Sequence, residues 1–477
     1  MQQVYGRTAE KRILDTALES EHAEMIAVIG RRRVGKTFLV RQHYADRLRF
    51  YIAGIQGAPK EEQLQNFAGQ LKKYSKSQLE LRVPKSWQDA FFMLSEYLDT
   101  QLSEEKVVVF LDELPWLSTH RSGFLRGLSW FWNSWAVEKR IVVTICGSAA
   151  SWMIDKVVNN KGGLHNRITR RIQLQPFSLG ETEHYLNRNG RAFDRYQVLQ
   201  LYMAMGGIPH YLKEVAAGKS AIQNIDAICF SPTGLLADEF TRLYASLFER
   251  ADRHVALIKS LAGKRKGMTR EELSNKLKQV NGGTLSRILE ELTISGFISV
   301  YRPFGKKKKQ QLYRLTDEYS LFYLQFIEGK AYEGPHIWQH LSQTATYKSW
   351  AGYTFESICL KHIPQIKQAL SIAGIYSLSS SFYKRGTDDA PGAQIDLLID
   401  RNDQVINLFE VKFYIDANTI TKTYANKLRE KASIFRAATD TKKQLSWVFL
   451  TVHGLKENVH SRSLSIQSLT ADVLFLE

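Results

Sequence analysis

Three features of the chain predict an α/β fold built on a doubly wound parallel sheet of five strands. Short apolar runs recur along the first third, with helical stretches between them. One run leads directly into a glycine-bounded loop, GRRRVGKT, at residues 30–37. Another ends in two adjacent acids, Asp112 and Glu113.

The loop fits G-x-x-x-x-G-K-T without a gap, so the sheet is expected to be of the P-loop kind. It follows Met25-Ile26-Ala27-Val28-Ile29 and precedes Phe38-Leu39-Val40, which gives strand, loop, helix. Gly30 and Gly35 let the backbone turn tightly, so the N–H groups of Arg31, Arg32, Arg33 and Val34 can face the phosphates of ATP. The positive end of the following helix adds to this field. Lys36 supplies a point charge to the phosphates, and Thr37 supplies a hydroxyl to Mg²⁺.

Val107-Val108-Val109-Phe110-Leu111 reads as a strand buried on both faces. Two acids at its end fit the sheet's C-terminal edge, where open α/β folds place ligands. Asp112 would hold Mg²⁺, directly or through water, and Glu113 would polarise the attacking water. A further strand, residues 141–146, ends at Gly147-Ser148. Ser148 reads equally as a γ-phosphate sensor and as a plain strand-end turn.

The remaining strands of this sheet are expected at 49–53 and 171–175, with an amphipathic helix within residues 1–23 and helical character between Trp87 and Leu102. The expected core spans 1–178. Residues 179–250 show helical patterning without a strand run and read as a helical lid, which contains Gly206-Gly207-Ile208-Pro209.

Residues 251–320 read as a winged helix. His254–Leu261 forms a first helix, Thr269-Arg270-Glu271-Glu272 is a capping box opening a second, and Leu285 to Ser295 forms a third. Two short strands follow, with Lys306-Lys307-Lys308-Lys309 at the tip between them. Such a module either meets phosphates or packs inside the molecule as a relay. The bridge at 321–344 belongs to an aromatic-rich stretch (Tyr319, Phe322, Tyr323, Phe326, Tyr332, Trp338) whose spacing favours core packing over base stacking.

Composition limits the function. The chain has 477 residues, 44% hydrophobic, enough for about three domains. No apolar run approaches the ~20 residues of a membrane span, and no secretory leader is evident. Cys146, Cys229 and Cys359 form neither a disulfide framework nor a metal-ligand spacing, which suggests a reducing, cytoplasmic setting. The formal net charge of +17 points to a polyanionic partner. It is concentrated: residues 250–320 carry 16 Lys and Arg against 7 Asp and Glu.

The last α/β unit, 345–477, holds a second constellation. Ala393–Ile399 and Val405–Lys412 read as a β-hairpin around a turn at 400–403. Asp396 and Glu410 can lie side by side across it and share a Mg²⁺ ion through oxygen ligands. Lys412, two residues after Glu410, shares its strand face and could orient or deprotonate a metal-bound water. The spacing D-x₁₃-E-V-K resembles the core of PD-(D/E)xK nucleases, and Glu356, in a helix opened near Trp350, falls where that family often has a further acid and metal ligand. The alternative is a salt-bridge network on an inactive, nucleic-acid-binding relic of that fold.

Taken together, GRRRVGKT, FLDELPWL, the opening Val4-Tyr5-Gly6-Arg7 and Gly207-Ile208-Pro209 resemble the archaeal-type ATPases of the STAND branch of AAA-like P-loop proteins. The resemblance implies that Pro209 packs near the adenine. It also implies that Arg167, within Gly163-Leu164-His165-Asn166-Arg167, acts as a phosphate sensor, with Arg170 and Arg171 as rivals. Asn166 departs from the pattern, where glycine is common. The family's C-terminal domain resembles restriction-type nucleases.

The expected function is a cytoplasmic, ATP-hydrolysing molecular switch coupled to a winged helix and a nuclease-like domain that acts on nucleic acid. Duplex DNA is the expected partner, with no membrane; a homo-oligomer is compatible with the reading. The rivals are an ATP-gated DNA-binding regulator and a signalling scaffold, each with an inactive C-terminal domain.

Overall fold

The structure, a computed structural model, describes residues 4–477 apart from 79, 159–163, 165, 249, 279, 331–333, 335, 388–390 and 415. The chain divides into two compact units, Met1–Pro176 with Ser246–Glu249, and Phe177–Ala245 with Arg250–Glu477.

The first unit is built on five parallel strands: β1 (Glu24–Ile29), β2 (Leu48–Ala53), β3 (Val107–Asp112), β4 (Ile141–Gly147) and β5 (Arg170–Gln173). Their order is β2-β3-β4-β1-β5. Every residue of β1, β3 and β4 is buried, as a sheet covered on both faces requires. Because β4 lies between β3 and β1, the segments that follow these three strands meet at one edge of the sheet. Those segments begin at Gly30, Glu113 and Ser148. Strand positions differ from the sequence expectation by one or two residues. Two helices for which the sequence reading gave no position, Lys60–Ser75 and Phe124–Ser134, also belong to this unit. The second packs against Trp87–Asp99, with the Trp87 and Phe124 rings edge-on at 4.8 Å.

In the second unit, residues 177–245 form helices, and no strand occurs there among the described residues. Gly206 and Gly207 make a tight corner after the Arg195–Met205 helix. Gly206 has φ 64°, and a Cβ on Gly207 would lie 2.0 Å from the Phe177 carbonyl oxygen. A Cβ on Gly206 would meet Glu318 Oε2 at 3.0 Å. Glu318 is fully enclosed, and Lys361 Nζ donates to it at 2.7 Å.

Three helices, Ala251–Ala262, Arg270–Lys276 and Gly282–Ile294, precede an antiparallel pair, β6 (Ile298–Tyr301) and β7 (Leu312–Leu315). Thr269 and Glu272 form a capping box at the second helix. Lys306 to Lys309 lie exposed between the strands. The aromatic stretch is core: Phe322 and Phe326 pack on Trp338 with ring centres 4.8 and 5.0 Å apart. Tyr332 lies outside the described residues.

The last sheet runs β14-β12-β10-β9-β8. β8 (Ser377–Lys384), β9 (Ala393–Arg401) and β10 (Val405–Lys412) form an antiparallel meander. A minor parallel pair, β11 (Asn418–Thr419) and β13 (Leu455–Lys456), stands apart. The Lys422–Thr439 helix then leads to β12 (Gln444–Thr451), parallel to β10, and β14 (Gln467–Thr470) follows beside it. Leu398, Leu408 and Phe449 of this sheet pack with Leu428 and Phe435 of that helix.

Candidate active sites

The first site stands on the edge of the parallel sheet. Gly30 is needed for a close approach: a Cβ there would sit 2.4 Å from the Leu174 carbonyl oxygen. Gly35 is needed for its φ of 92°, which opens the Lys36–His43 helix. Lys36 is buried and its Nζ donates to the carbonyls of Gly30 (2.9 Å) and Arg31 (3.0 Å), curling back over the loop. Arg7, also buried, donates to the Val34 carbonyl at 3.3 Å and so props the loop from the opening helix.

Thr37 Oγ1 donates to Asp112 Oδ2 at 2.6 Å, joining the loop to β3. Asp112 Oδ1 accepts from Cys146 Sγ (2.7 Å) and from the Glu113 backbone N–H (2.9 Å). Glu113 is held differently. Its backbone takes the left-handed conformation, φ 48°, of the kind that collects at functional sites. Its Oε2 accepts from both the backbone N–H (3.0 Å) and the hydroxyl (2.9 Å) of Ser148. Each of these donors to Asp112 and Glu113 is a neutral hydroxyl, thiol or amide. Burial, then the neighbouring Asp112 charge, push the Cys146 thiol well above its ordinary range, so it remains a proton donor.

Gly30, Lys36, Thr37, Asp112, Glu113 and Ser148 therefore converge. Arg167 follows β4 within the same unit, is exposed, and has Asn166 before it at φ 54°. Asparagine tolerates that left-handed conformation, which accounts for its presence where glycine is common. Gly163 and His165 lie outside the described residues. Of the rivals, Arg170 is paired with Glu24 at 3.1 Å and Arg171 is exposed. Pro209 belongs to the second unit, as the first residue of the Pro209–Leu212 turn of helix.

Residues 5–215 match a family described as an ATPase domain predominantly from Archaea. This part of the chain is similar to an archaeal-type ATPase domain. The match covers the whole parallel sheet and the corner at Gly206. Over 419 residues the chain is 23% identical to an uncharacterized protein of Methanocaldococcus jannaschii, spanning 85% of this chain and 87% of that one. The fold is also that of a Walker-type ATPase of Pyrococcus abyssi, with a TM-score of 0.50, 17% identity, and coverage of 67% of this chain and 96% of the other. A likeness to the Aeropyrum pernix ORC2 protein, TM-score 0.39, 15% identity and 70% and 93% coverage, is too low to carry an argument. The ATPase domain places this chain's activity in the P-loop class. Among the described residues no helix is long and apolar enough to cross a membrane.

The second site lies beyond the ATPase domain. A cavity of about 710 Å³ is lined by Glu356 from the Ala345–Lys361 helix, Asp396 from β9 and Lys412 from β10. β9 bulges at this point: pairing steps from Ser380–Leu398 to Phe382–Ile395, so Asp396 and Leu397 together oppose Ser381. The β9–β10 ladder ends at Leu397–Phe409, and Asp396 and Glu410 stand one step beyond it. Asp396 accepts from Gln394 Nε2 at 2.5 Å.

Cations surround these acids. Glu410 is buried and contacts Lys412 Nζ (3.0 Å), Lys431 Nζ (2.8 Å) and the Tyr424 hydroxyl (2.7 Å). Burial pushes its carboxyl up, but these partners outweigh it and leave the group below the usual carboxylate range. Burial lowers Lys412, and Glu410 more than compensates, so the amine stays charged. Glu356 sits 3.8 Å from Arg314 of β7. Burial and the Asp396 charge still push its carboxyl up to about 7.

Glu410 is not a wall of the cavity. Among the described residues, no group of three or more His, Cys, Asp or Glu is arranged to hold a metal. Glu356, Asp396 and Glu410, expected to share an ion, are therefore not gathered as ligands here, because Glu410 is turned to two lysines and a tyrosine. The roles of Cys146, Arg314, Tyr424 and Lys431 were missed in the sequence, since each acts through a contact distant along the chain and none falls in a motif; Arg7 was read only as part of the opening segment.

Proposed function

We propose that the chain is an ATP-driven switch whose second unit acts on DNA through a PD-(D/E)xK nuclease-like site. ATP with Mg²⁺ would be held by the amides of residues 30–35 and by Lys36, Thr37 and Asp112, and supplies the phosphoryl group to be hydrolysed. The neutral donor set around Asp112 fits a site that keeps its negative charge for a cation. Ser148 fixes one oxygen of Glu113 and so orients the carboxylate that accepts a proton from water. Arg167 as phosphate sensor and Pro209 near the adenine belong to this proposal. So do the five-part division at 178, 250, 320 and 344 and the winged-helix reading of residues 251–320.

One observation carries the nuclease reading: Glu356, Asp396 and Lys412 come from three elements to one cavity. The order helix, β9, β10 of the elements that carry these three residues supports it, being the helix–strand–strand order expected of the restriction-nuclease resemblance. In this reading Lys412 would hold a water, and Glu356 and Asp396, the two acids on the cavity wall, would hold a divalent ion that activates it, with Glu410 kept apart by its lysines. The test is plasmid cleavage with ATP and Mg²⁺ or Mn²⁺, comparing the wild type with Asp396→Ala. Cleavage lost in the variant supports the reading, and equal cleavage in both overturns it.

A second reading is favoured by the cations. With Glu410 neutralised by Lys412 and Lys431, the domain would bind nucleic acid without cutting it, and the chain would be an ATP-gated DNA-binding regulator. No cleavage under any metal, with salt-dependent DNA binding intact, selects this reading.

A further inference from the structure

The second cavity has a shape that says more about its occupant. Its volume, about 710 Å³, falls within the ~300–1,000 Å³ typical of small-ligand pockets. A volume of that size is that of a small-ligand pocket, not of a double-helical segment. A nucleotide or two of single strand fits it.

The mouth carries features that a single strand would use. Tyr383 and Tyr414 line the cavity yet remain 51% and 38% exposed. Lys266 Nζ lies over one face of the Tyr383 ring, 3.9 Å from its centre, which leaves the opposite face for a base and a cation next to it for a phosphate. Exposed aromatic rings flanked by cations are the means by which proteins hold unpaired strands, bases on the rings and phosphates on the charges. Deeper in, the walls reach Glu356, Asp396 and Lys412.

The lysine run is fixed beside this mouth. Pro303 is a wall residue, and Lys306 follows three positions later. Between them Phe304 is pinned to the sheet: its N–H donates to the Ser381 carbonyl at 2.8 Å, and its ring lies 5.3 Å from that of Phe435. Ser381 itself lines the cavity. An exposed basic loop is thereby anchored next to a cavity of small-ligand size.

The geometry points to a site for the unpaired end of a DNA strand, with bases stacked on Tyr383 and Tyr414 and the adjoining duplex held along Lys306 to Lys309. The site is thus selective for a junction between single and double strand. This rests on the nucleic-acid reading above and names its substrate class.

The experiment uses the full chain in EDTA, so that binding is read without cleavage. The probes are a blunt duplex and the same duplex with a single-stranded overhang that carries a fluorescent base analogue. The overhang should bind about tenfold more tightly than the blunt duplex, with quenching of the analogue by stacking. The double variant Tyr383→Ala, Tyr414→Ala should lose both the preference and the quenching while still binding the blunt duplex. Tyr383→Phe with Tyr414→Phe should keep both, which separates stacking from a folding defect. Replacing Lys306 to Lys309 by Ser should weaken both probes and lower the log–log salt slope by about one per lost phosphate contact. Equal binding of the two probes, or a preference that survives the alanine double variant, overturns this inference while leaving the DNA-binding reading in place. Failure to bind either probe overturns both.

Discussion

Asp112 and Glu113 of the first unit and Glu356 and Glu410 of the C-terminal domain are held by opposite kinds of partner. Asp112 and Glu113 accept hydrogen bonds from Thr37, Cys146, Ser148 and a backbone amide. These donors orient the carboxylates and leave their charge in place. Glu410 and Glu356 face Lys412, Lys431 and Arg314. Those partners cancel charge. A buried carboxylate with only neutral partners is costly until a cation arrives, and the Mg²⁺ proposed for the first site would be such a cation. The second is already compensated, and an ion would have to displace an ammonium group.

The largest test of this contrast is Lys36→Ala. The Lys36 ammonium is held over the loop by the Gly30 and Arg31 carbonyls, and without it ATP affinity should fall on the order of 100-fold. An unchanged calorimetric titration would mean that the loop is not the nucleotide site. Glu113→Gln should separate holding from chemistry. It keeps the Ser148 contact but cannot take a proton, so ATP should still bind while hydrolysis drops about 100-fold. Wild-type turnover in that variant would reduce Glu113 to a structural residue.

Glu356 offers a test by pH. Its folded value of about 7 stands above the ordinary 4.5. As pH rises, the unfolded chain gives up this proton first, so the group takes stability away between those two values and the loss persists above them. Glu356→Gln should abolish that decline, an effect of about 2 kcal/mol once partial exposure is allowed for. Identical stability–pH curves by denaturant titration would mean that Glu356 ionises in the folded protein as it does in the unfolded chain. The smallest expected effect concerns Lys431. Lys431→Met removes one of the two cations on Glu410, and Mn²⁺ binding to the second unit should tighten about tenfold. If the affinity does not move, Glu410 is not a ligand and the contrast between the sites is permanent rather than conditional.

The two sites were also unequally legible in the sequence. Gly30 to Thr37 is contiguous, and Asp112-Glu113 ends a run of apolar residues that can only be a buried strand, so residue type and position coincide. The C-terminal acids were found by spacing alone. Spacing could place Asp396 one register step past Leu397, but it could not show the bulge opposite Ser381, because a bulge depends on the partner strand. Nor could it show Lys431 and Tyr424 turning Glu410 away. Both sit on the Lys422–Thr439 helix, and which helical residues reach a strand depends on how the two pack. The lysine run was legible as a charged loop. That Phe304 pins it beside a cavity was not, since a lone phenylalanine in a loop carries no pattern.

The Gly206 corner has a consequence for how such chains can vary. Glu318 fills the space that a side chain at Gly206 would need, and Lys361 neutralises Glu318 from the helix that carries Glu356. His362, next along that helix, accepts the N–H of Leu179 at 3.1 Å and is held neutral, with burial lowering it to about 4. Replacing Lys361 alone would strand a buried carboxylate. The three positions are therefore bound to change together or not at all. Descendants of this sequence should show glycine, acid and lysine as a single inherited triplet, lost only in lineages where the corner itself has been rebuilt.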